Sequence, residues 1–268
     1  MNFSEIKRVL IGQPFPNSRE TEERLDNIRG LAIFASDPIS SNAYATEAIM
    51  TVLVLLGSGA LRTTLPIGIG IALLVLIVVF SYIQTILHYP DGGGAYTVAK
   101  DNLGEMPSLI AAAALLIDYL LTVSVSIAAG VRAITSAFPQ LFAYRVEIAL
   151  LILLLVTWIN LRGVRESGSI FAIPTYAFVA GVFLVIVAGL LRAGGLFGLQ
   201  TLPVLQTHVD PAGDFTGVAY VWLLLRAFAG GCTALTGIEA ISNGVKAFRI
   251  PETTNAIKTM LAMAVMAM

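Results

Sequence analysis

Apolar runs, set apart by short polar turns, divide the chain. Six of them cover residues 25–56, 65–87, 107–138, 146–161, 170–190 and 218–248, and a seventh starts near residue 253 and is cut at Met268. A helix rises 1.5 Å per residue, so about 20 apolar residues cross a hydrocarbon layer of ~30 Å. The pattern predicts an all-α polytopic membrane protein. Residues 90–96, P-D-G-G-G-A-Y, predict a tight turn closing one end of the bundle, followed by a short helix over residues 96–102. Glycines there open backbone conformations closed to other residues. Pro174 predicts a kink near the start of the fifth run, because a proline inside a helix removes a backbone bond. Residues 194–217 read as a longer loop holding Pro203, His208, Asp210, Pro211 and Asp214. Residues 1–27 are polar and mixed in charge, a lead-in tail with a short surface helix over residues 3–11.

Two runs are interrupted. The first holds Ser36-Asp37-Pro38-Ile39-Ser40-Ser41 near its centre. Pro38 has no N–H and its ring clashes with the preceding turn, while serines beside it can bond the backbone groups that are freed. Unwound backbone is expected over residues 37–41, with Asp37 held at membrane depth. The alternative is a kinked helix whose aspartate is paired and inert. The sixth run is expected to break at Gly230-Gly231 and again over residues 233–239, T-A-L-T-G-I-E, where Glu239 is a second deep carboxylate. A third, Asp118, heads a stripe in the third run. Asp118, Thr122 and Ser126 are spaced by four, so they stack on one helical face and should look into the bundle. Single Thr and Ser residues in such helices often serve as helix–helix glue, but an intramembrane carboxylate is a functional candidate by default. Broken spans standing five apart predict the five-plus-five inverted-repeat fold of secondary transporters, with the site at the midplane between the breaks. On that reading residues 1–27 are a cytoplasmic tail. Residues 28–268 are the transport domain, comprising the first repeat and the opening of the second, as a piece of a longer chain would.

Composition agrees with this class and narrows the chemistry. Apolar residues make up 57% of the chain and charged residues 12%, against about 25% charged in soluble domains. A net charge of −1 gives no sign of a nucleic-acid partner. Placement of the cations matters more. With the N-terminus inside, Lys7, Arg8, Arg19, Arg24, Arg29, Lys100, Arg162, Arg165, Lys246, Arg249 and Lys258 fall on the cytoplasmic side. Arg62, Arg132, Arg145 and Arg192 fall outside, and Arg226 lies within the sixth run. That bias predicts a cytoplasmic N-terminus in the plasma membrane, and the polar start predicts no cleavable signal peptide. Cys232 stands alone, which excludes an internal disulfide and a Cys-rich metal site. H-E-x-x-H, G-x-S-x-G and G-x-x-x-x-G-K-[ST] do not occur, so neither an enzyme nor a cofactor is expected. An intramembrane aspartyl protease would add G-x-G-D to Asp118, and a potassium channel would show T-V-G-Y-G; neither occurs.

Short motifs bear a family likeness. Residues 37–44 read D-P-I-S-S-N-A-Y, residues 118–122 read D-Y-L-L-T, and residues 236–239 read T-G-I-E. Together with P-D-G-G-G-A-Y they make nearly the whole chain resemble the amino acid–polyamine–organocation transporter superfamily. Within it the resemblance is to the Kup and KimA type proton-coupled potassium importers. The resemblance implies a cation site built from Asp37 and Tyr44 in the first helix, Asp118, Tyr119, Thr122 and Ser126 in the third, and Thr236 and Glu239 in the sixth. It implies potassium held through Asp37, Thr122, Ser126 and Thr236, and proton coupling at Glu239 together with Asp118. The partners implied are a potassium ion, a proton, the lipid bilayer and a second copy in a homodimer. The soluble C-terminal domain in which the KimA type binds a cyclic dinucleotide has no counterpart in this stretch, so no such regulation is expected from it.

Physical chemistry separates two substrate classes. Amino acid permeases of this superfamily line the first break with small residues, whose free N–H groups receive the substrate carboxylate. Here Asp37 would repel a carboxylate, and Pro38 has no N–H to give. Carboxylate, hydroxyl and freed carbonyl oxygens suit a dehydrated cation instead. One of the buried acids is expected to stay protonated at rest, since desolvation disfavours the charged form. The expected function is secondary active, proton-coupled potassium uptake by alternating access. A proton-coupled amino acid or polyamine permease is the alternative.

Overall fold

The computed structural model describes residues 23–161, 164–195 and 208–268. The expected surface helix at residues 3–11 and part of the 194–217 loop lie outside the described residues. The described residues form ten α-helices: α1 Asn27–Phe34, α2 Ser36–Leu53, α3 Thr64–His88, α4 Gly94–Leu103, α5 Glu105–Ala137, α6 Arg145–Asn160, α7 Val164–Ala193, α8 Val218–Gly231, α9 Glu239–Asn243 and α10 Glu252–Ala267. Six stretches are long and apolar enough to cross a membrane: Ser36–Leu56, Ser58–His88, Glu105–Ala137, Pro139–Asn160, Gly168–Ala193 and Val218–Asn243. The protein is an all-α polytopic membrane protein, as its apolar runs predict.

The first run breaks earlier than expected. Asp26 caps α1 by accepting the Arg29 N–H at 2.9 Å, which satisfies one of the orphan donors of a helix start. Ala35 alone separates α1 from α2, and its N–H still reaches the Leu31 carbonyl at 2.9 Å. The helix resumes at Ser36, so Asp37 stands in the first turn of α2 and not on unwound backbone over residues 37–41. Pro38 is the reason. A residue without an N–H fits the first turn, where N–H groups have no intrahelical partner, so Pro38 helps start α2. Side chains serve carbonyls around this junction. Ser36 Oγ donates to the Ile33 carbonyl at 3.0 Å, Ser40 Oγ to Asp37 at 2.9 Å, and Asn42 Nδ2 to Pro38 at 3.0 Å.

The sixth run breaks where the second of its two signals lies. Gly230-Gly231 does not interrupt the helix but forms the last turn of α8. Its role is close packing: a Cβ on Gly231 would come within 2.7 Å of Ile49 Cδ1 on α2, and small residues let membrane helices approach closely. The α-helix is lost over residues 232–238. Cys232–Leu235 is a 3-10 turn, Thr236 is extended at φ −68° and ψ 143°, and α9 begins at Glu239. Pro174 lies well inside α7 rather than near its start, because that helix begins earlier, at Val164, and runs on through the proline.

The core lies where α1, α2, α3, α9 and α10 meet around the sixth-run break, with Leu53, Ile86, Ile241, Met260 and Met263 buried. Helices α5, α6 and α7 form a flank. Leu120 on α5 and Leu151 on α6 are 71% and 68% exposed, the position of lipid-facing side chains. Asp118, Thr122 and Ser126 on α5 are half-buried, so the polar stripe looks inward as its spacing predicts. The turn before α4, at residues 90–93, closes one end of the bundle by docking on the end of α9. There the Gly93 N–H bonds the Asn243 carbonyl at 3.3 Å, and Lys246 Nζ meets Asp91 Oδ1 at 2.7 Å. The Asp91 carboxylate holds the Lys246 ammonium above its ordinary pKa. At the same end the Leu25 N–H bonds the Ala247 carbonyl at 2.7 Å, and the Arg249 N–H bonds the Leu25 carbonyl at 2.9 Å. Arg24 pairs with Glu252 at the start of α10.

Candidate functional site

Helix α2 sets Asp37, Ser41 and Tyr44 on one face, at spacings of four and three. Ser41 is fully buried and joins the site together. Its Oγ lies 3.3 Å from Asp37 Oδ1, 2.8 Å from the Tyr44 hydroxyl and 3.0 Å from Thr236 Oγ1. The Tyr44 hydroxyl lies 3.4 Å from Ser126 Oγ. One chain of oxygens thus links the first broken span, the sixth broken span and α5. Gly237 allows the two breaks to close on each other. It sits at φ +80°, a conformation rare for L residues, and a Cβ there would overlap the Asp37 carboxylate and lie 2.9 Å from Pro38 Cδ.

Counting protons shows what the network lacks. Thr236 gives its hydroxyl proton to the Thr233 carbonyl at 2.8 Å. Its contact with Ser41 then draws on the Ser41 proton, which Asp37 Oδ1 also needs. A hydroxyl has one proton and two lone pairs, so this cluster is short of donors and rich in acceptor oxygens. Such a cluster is suited to receive a positive charge.

Asp37 opens on a cavity of about 590 Å³, where Ser40, Tyr119, Thr122 and Ser126 form part of the polar lining and Phe34, Leu153, Pro174 and Phe178 part of the apolar wall. Glu239 stands just past the second break and is 7% exposed. Its Oε1 is buried without a hydrogen-bond partner. Asp118 is not among the cavity's lining residues, but it adjoins Tyr119, which is. Among the described residues no three His, Cys, Asp or Glu side chains converge closely enough to chelate a metal ion. The three carboxylates therefore do not grip one point. Of the expected residues, Asp37, Tyr119, Thr122 and Ser126 line the cavity, Tyr44 and Thr236 join it through Ser41, and Asp118 and Glu239 flank it. Two residues were not anticipated. Ser41 was legible from its place between Asp37 and Tyr44 on one helical face. Asn243, whose Nδ2 donates to the Tyr119 hydroxyl at 2.8 Å, left no pattern in the sequence.

Residues 28–268 match the family model described as amino acid permease. The chain belongs to the amino acid permease family. That places it in the amino acid–polyamine–organocation superfamily of membrane transporters. Over 265 residues it is 45% identical to the potassium transporter KimA of Bacillus subtilis (strain 168), covering 98% of the permease chain and 43% of KimA. It is 29% identical over 191 residues to cationic amino acid transporter 6, chloroplastic, of Arabidopsis thaliana, covering 64% of the permease chain and 32% of that protein. It is 27% identical over 239 residues to cationic amino acid transporter 7, chloroplastic, of the same plant, covering 81% and 37%. The permease chain spans less than half the length of each of these relatives.

Proposed function

We propose that this chain forms the cation site of a secondary active transporter that takes up potassium, coupled to protons, by alternating access. The observation that supports the reading is the buried oxygen cluster where the two broken spans meet, short of protons and headed by Asp37. The likeness to KimA supports potassium as the substrate. Oxygens can replace the hydration shell of such an ion. In this scheme Asp37, Thr122, Ser126 and Thr236 hold the ion, with Tyr44 and Tyr119 beside it. Glu239 holds a proton while the site is empty, and Asp118 shares in the coupling. Like charges in one neighbourhood disfavour full ionisation, and an arriving cation favours release of the proton. The protein would work in the plasma membrane, N-terminus in the cytoplasm, as a homodimer.

A second reading is a proton-coupled amino acid or polyamine permease. It draws support from the likeness to two cationic amino acid transporters, and Asp37 would then face the substrate's ammonium group. The test is uptake by the full-length protein in reconstituted vesicles, with radiolabelled rubidium set against a panel of amino acids and polyamines. Saturable rubidium uptake driven by an inward proton gradient supports the first reading. Uptake of a cationic amino acid with none of rubidium replaces it with the second.

A further inference from the structure

Asn243 ends α9, four residues after Glu239, so the two share one face of that short helix. It is held from two sides. Its Nδ2 donates to the Tyr119 hydroxyl on α5 at 2.8 Å. Its main-chain carbonyl accepts the Gly93 N–H of the closing turn at 3.3 Å, and a Cβ on Gly92 would lie 2.8 Å from that carbonyl. Tyr119 in turn lines the Asp37 cavity. A phenol has one proton to give and two lone pairs. With the Asn243 N–H on one lone pair, the phenol keeps its proton for a further acceptor. The other lone pair is left for the cavity.

We infer that Asn243 is a positioning residue for substrate binding: it orients the Tyr119 hydroxyl so that one lone pair serves the Asp37 cavity, and it ties that orientation to the turn at residues 90–93. The inference rests on the proposal that this cavity is the cation site. An apolar side chain of the same size would keep the packing of α9 and release the phenol, so positioning and packing predict different kinetics.

The test is the initial rate of rubidium uptake against rubidium concentration, in vesicles holding the full-length protein. The variants are Asn243→Leu, Asn243→Asp, Tyr119→Phe and the double Asn243→Leu/Tyr119→Phe, with Asp37→Asn as a reference for the cavity. Losing one oriented hydrogen bond should raise the half-saturation concentration roughly tenfold in Asn243→Leu, with the maximal rate within about twofold of the parent. Tyr119→Phe should raise it as much, and the double variant no further, because Asn243 acts through Tyr119. Asn243→Asp keeps the shape and turns the donor into an acceptor that takes the phenol proton. It should show the same rise, and it guards against misfolding of the leucine variant. Parental half-saturation in both Asn243 variants, or single effects that multiply in the double variant, overturns the inference while an inactive Asp37→Asn leaves the cavity proposal standing. An Asp37→Asn protein that takes up rubidium like the parent overturns the cavity proposal, and this inference with it.

Discussion

Ser41→Ala is the sharpest probe of the oxygen cluster, because it deletes one buried atom with three oxygen neighbours. The losses are unequal. Thr236 keeps the Thr233 carbonyl at 2.8 Å, and the Tyr44 hydroxyl keeps Ser126 at 3.4 Å. Asp37 Oδ1 loses the Ser41 hydroxyl at 3.3 Å. A hydrogen bond to a charged group contributes about 1.5–3 kcal/mol net, and at this length the lower figure applies. The ion adds a second consideration. When a cation reaches Asp37, Ser41 can turn its proton to Thr236 and offer a lone pair; alanine can do neither. The half-saturation concentration for rubidium should therefore rise roughly tenfold, the equivalent of about 1.4 kcal/mol. The melting midpoint of the purified protein should fall by only a few degrees, at about 2–4 °C per kcal/mol. Both quantities are measured on the full-length protein, one in vesicles and one in detergent. A Ser41→Ala protein with half-saturation within twofold of the parent would show that the cluster only packs two helices together.

Four further outcomes are expected. Thr122→Val and Ser126→Ala should each weaken rubidium affinity in the same assay, Thr122 the more because it lies one turn from Asp118; unchanged half-saturation in both returns the stripe to ordinary helix packing. Glu239→Gln should keep some cation binding yet lose the dependence of uptake on external pH, and transport that still follows a pH gradient would remove Glu239 from the coupling. The Lys246–Asp91 pair should add stability that is whole below the ordinary lysine pKa of about 10.4 and fades as pH rises through the raised value. The gap in melting midpoint between parent and Asp91→Asn should then close in alkali, and a gap that persists there refutes the assignment. A disulfide joining cysteines placed at Leu25 and Phe248 should leave rubidium uptake intact; loss of uptake on oxidation, restored by reductant, would mean that this end must open.

How much of this was legible depended on the range of the interaction involved. The spans followed from runs of apolar side chains, because helix length in lipid is set by bilayer thickness. Helix α3 at Thr64–His88 and α6 at Arg145–Asn160 lie within a residue of the runs that predict them. The polar stripe on α5 was legible for the same reason, a spacing of four within one helix. Pro38 was misplaced because a proline that breaks a helix and a proline that begins one look alike until the first turn is located. Gly230 and Gly231 were read as a break because their other use, contact with α2, depends on a helix far away in sequence. Asn243 was invisible because its partner Tyr119 lies 124 residues away and neither residue belongs to a periodic pattern with the other.

The pair of backbone bonds between Leu25 and the segment around Phe248 has a mechanical consequence. Leu25 and Phe248 are fully buried, so separating the lead into α1 from the tail of the sixth span would expose both side chains and strip two backbone hydrogen bonds. A swing of both broken helices as one lever leaves that joint intact. In the proposed transport cycle the movement would then fall between this lever and the flank of α5, α6 and α7, on the side wall of the Asp37 cavity, where the Tyr176 hydroxyl of α7 donates to the Ile28 carbonyl of α1 at 2.9 Å. Under that proposal, opening of this kind would uncover a bound ion from the side while the Asp37, Ser41 and Thr236 oxygens travel together.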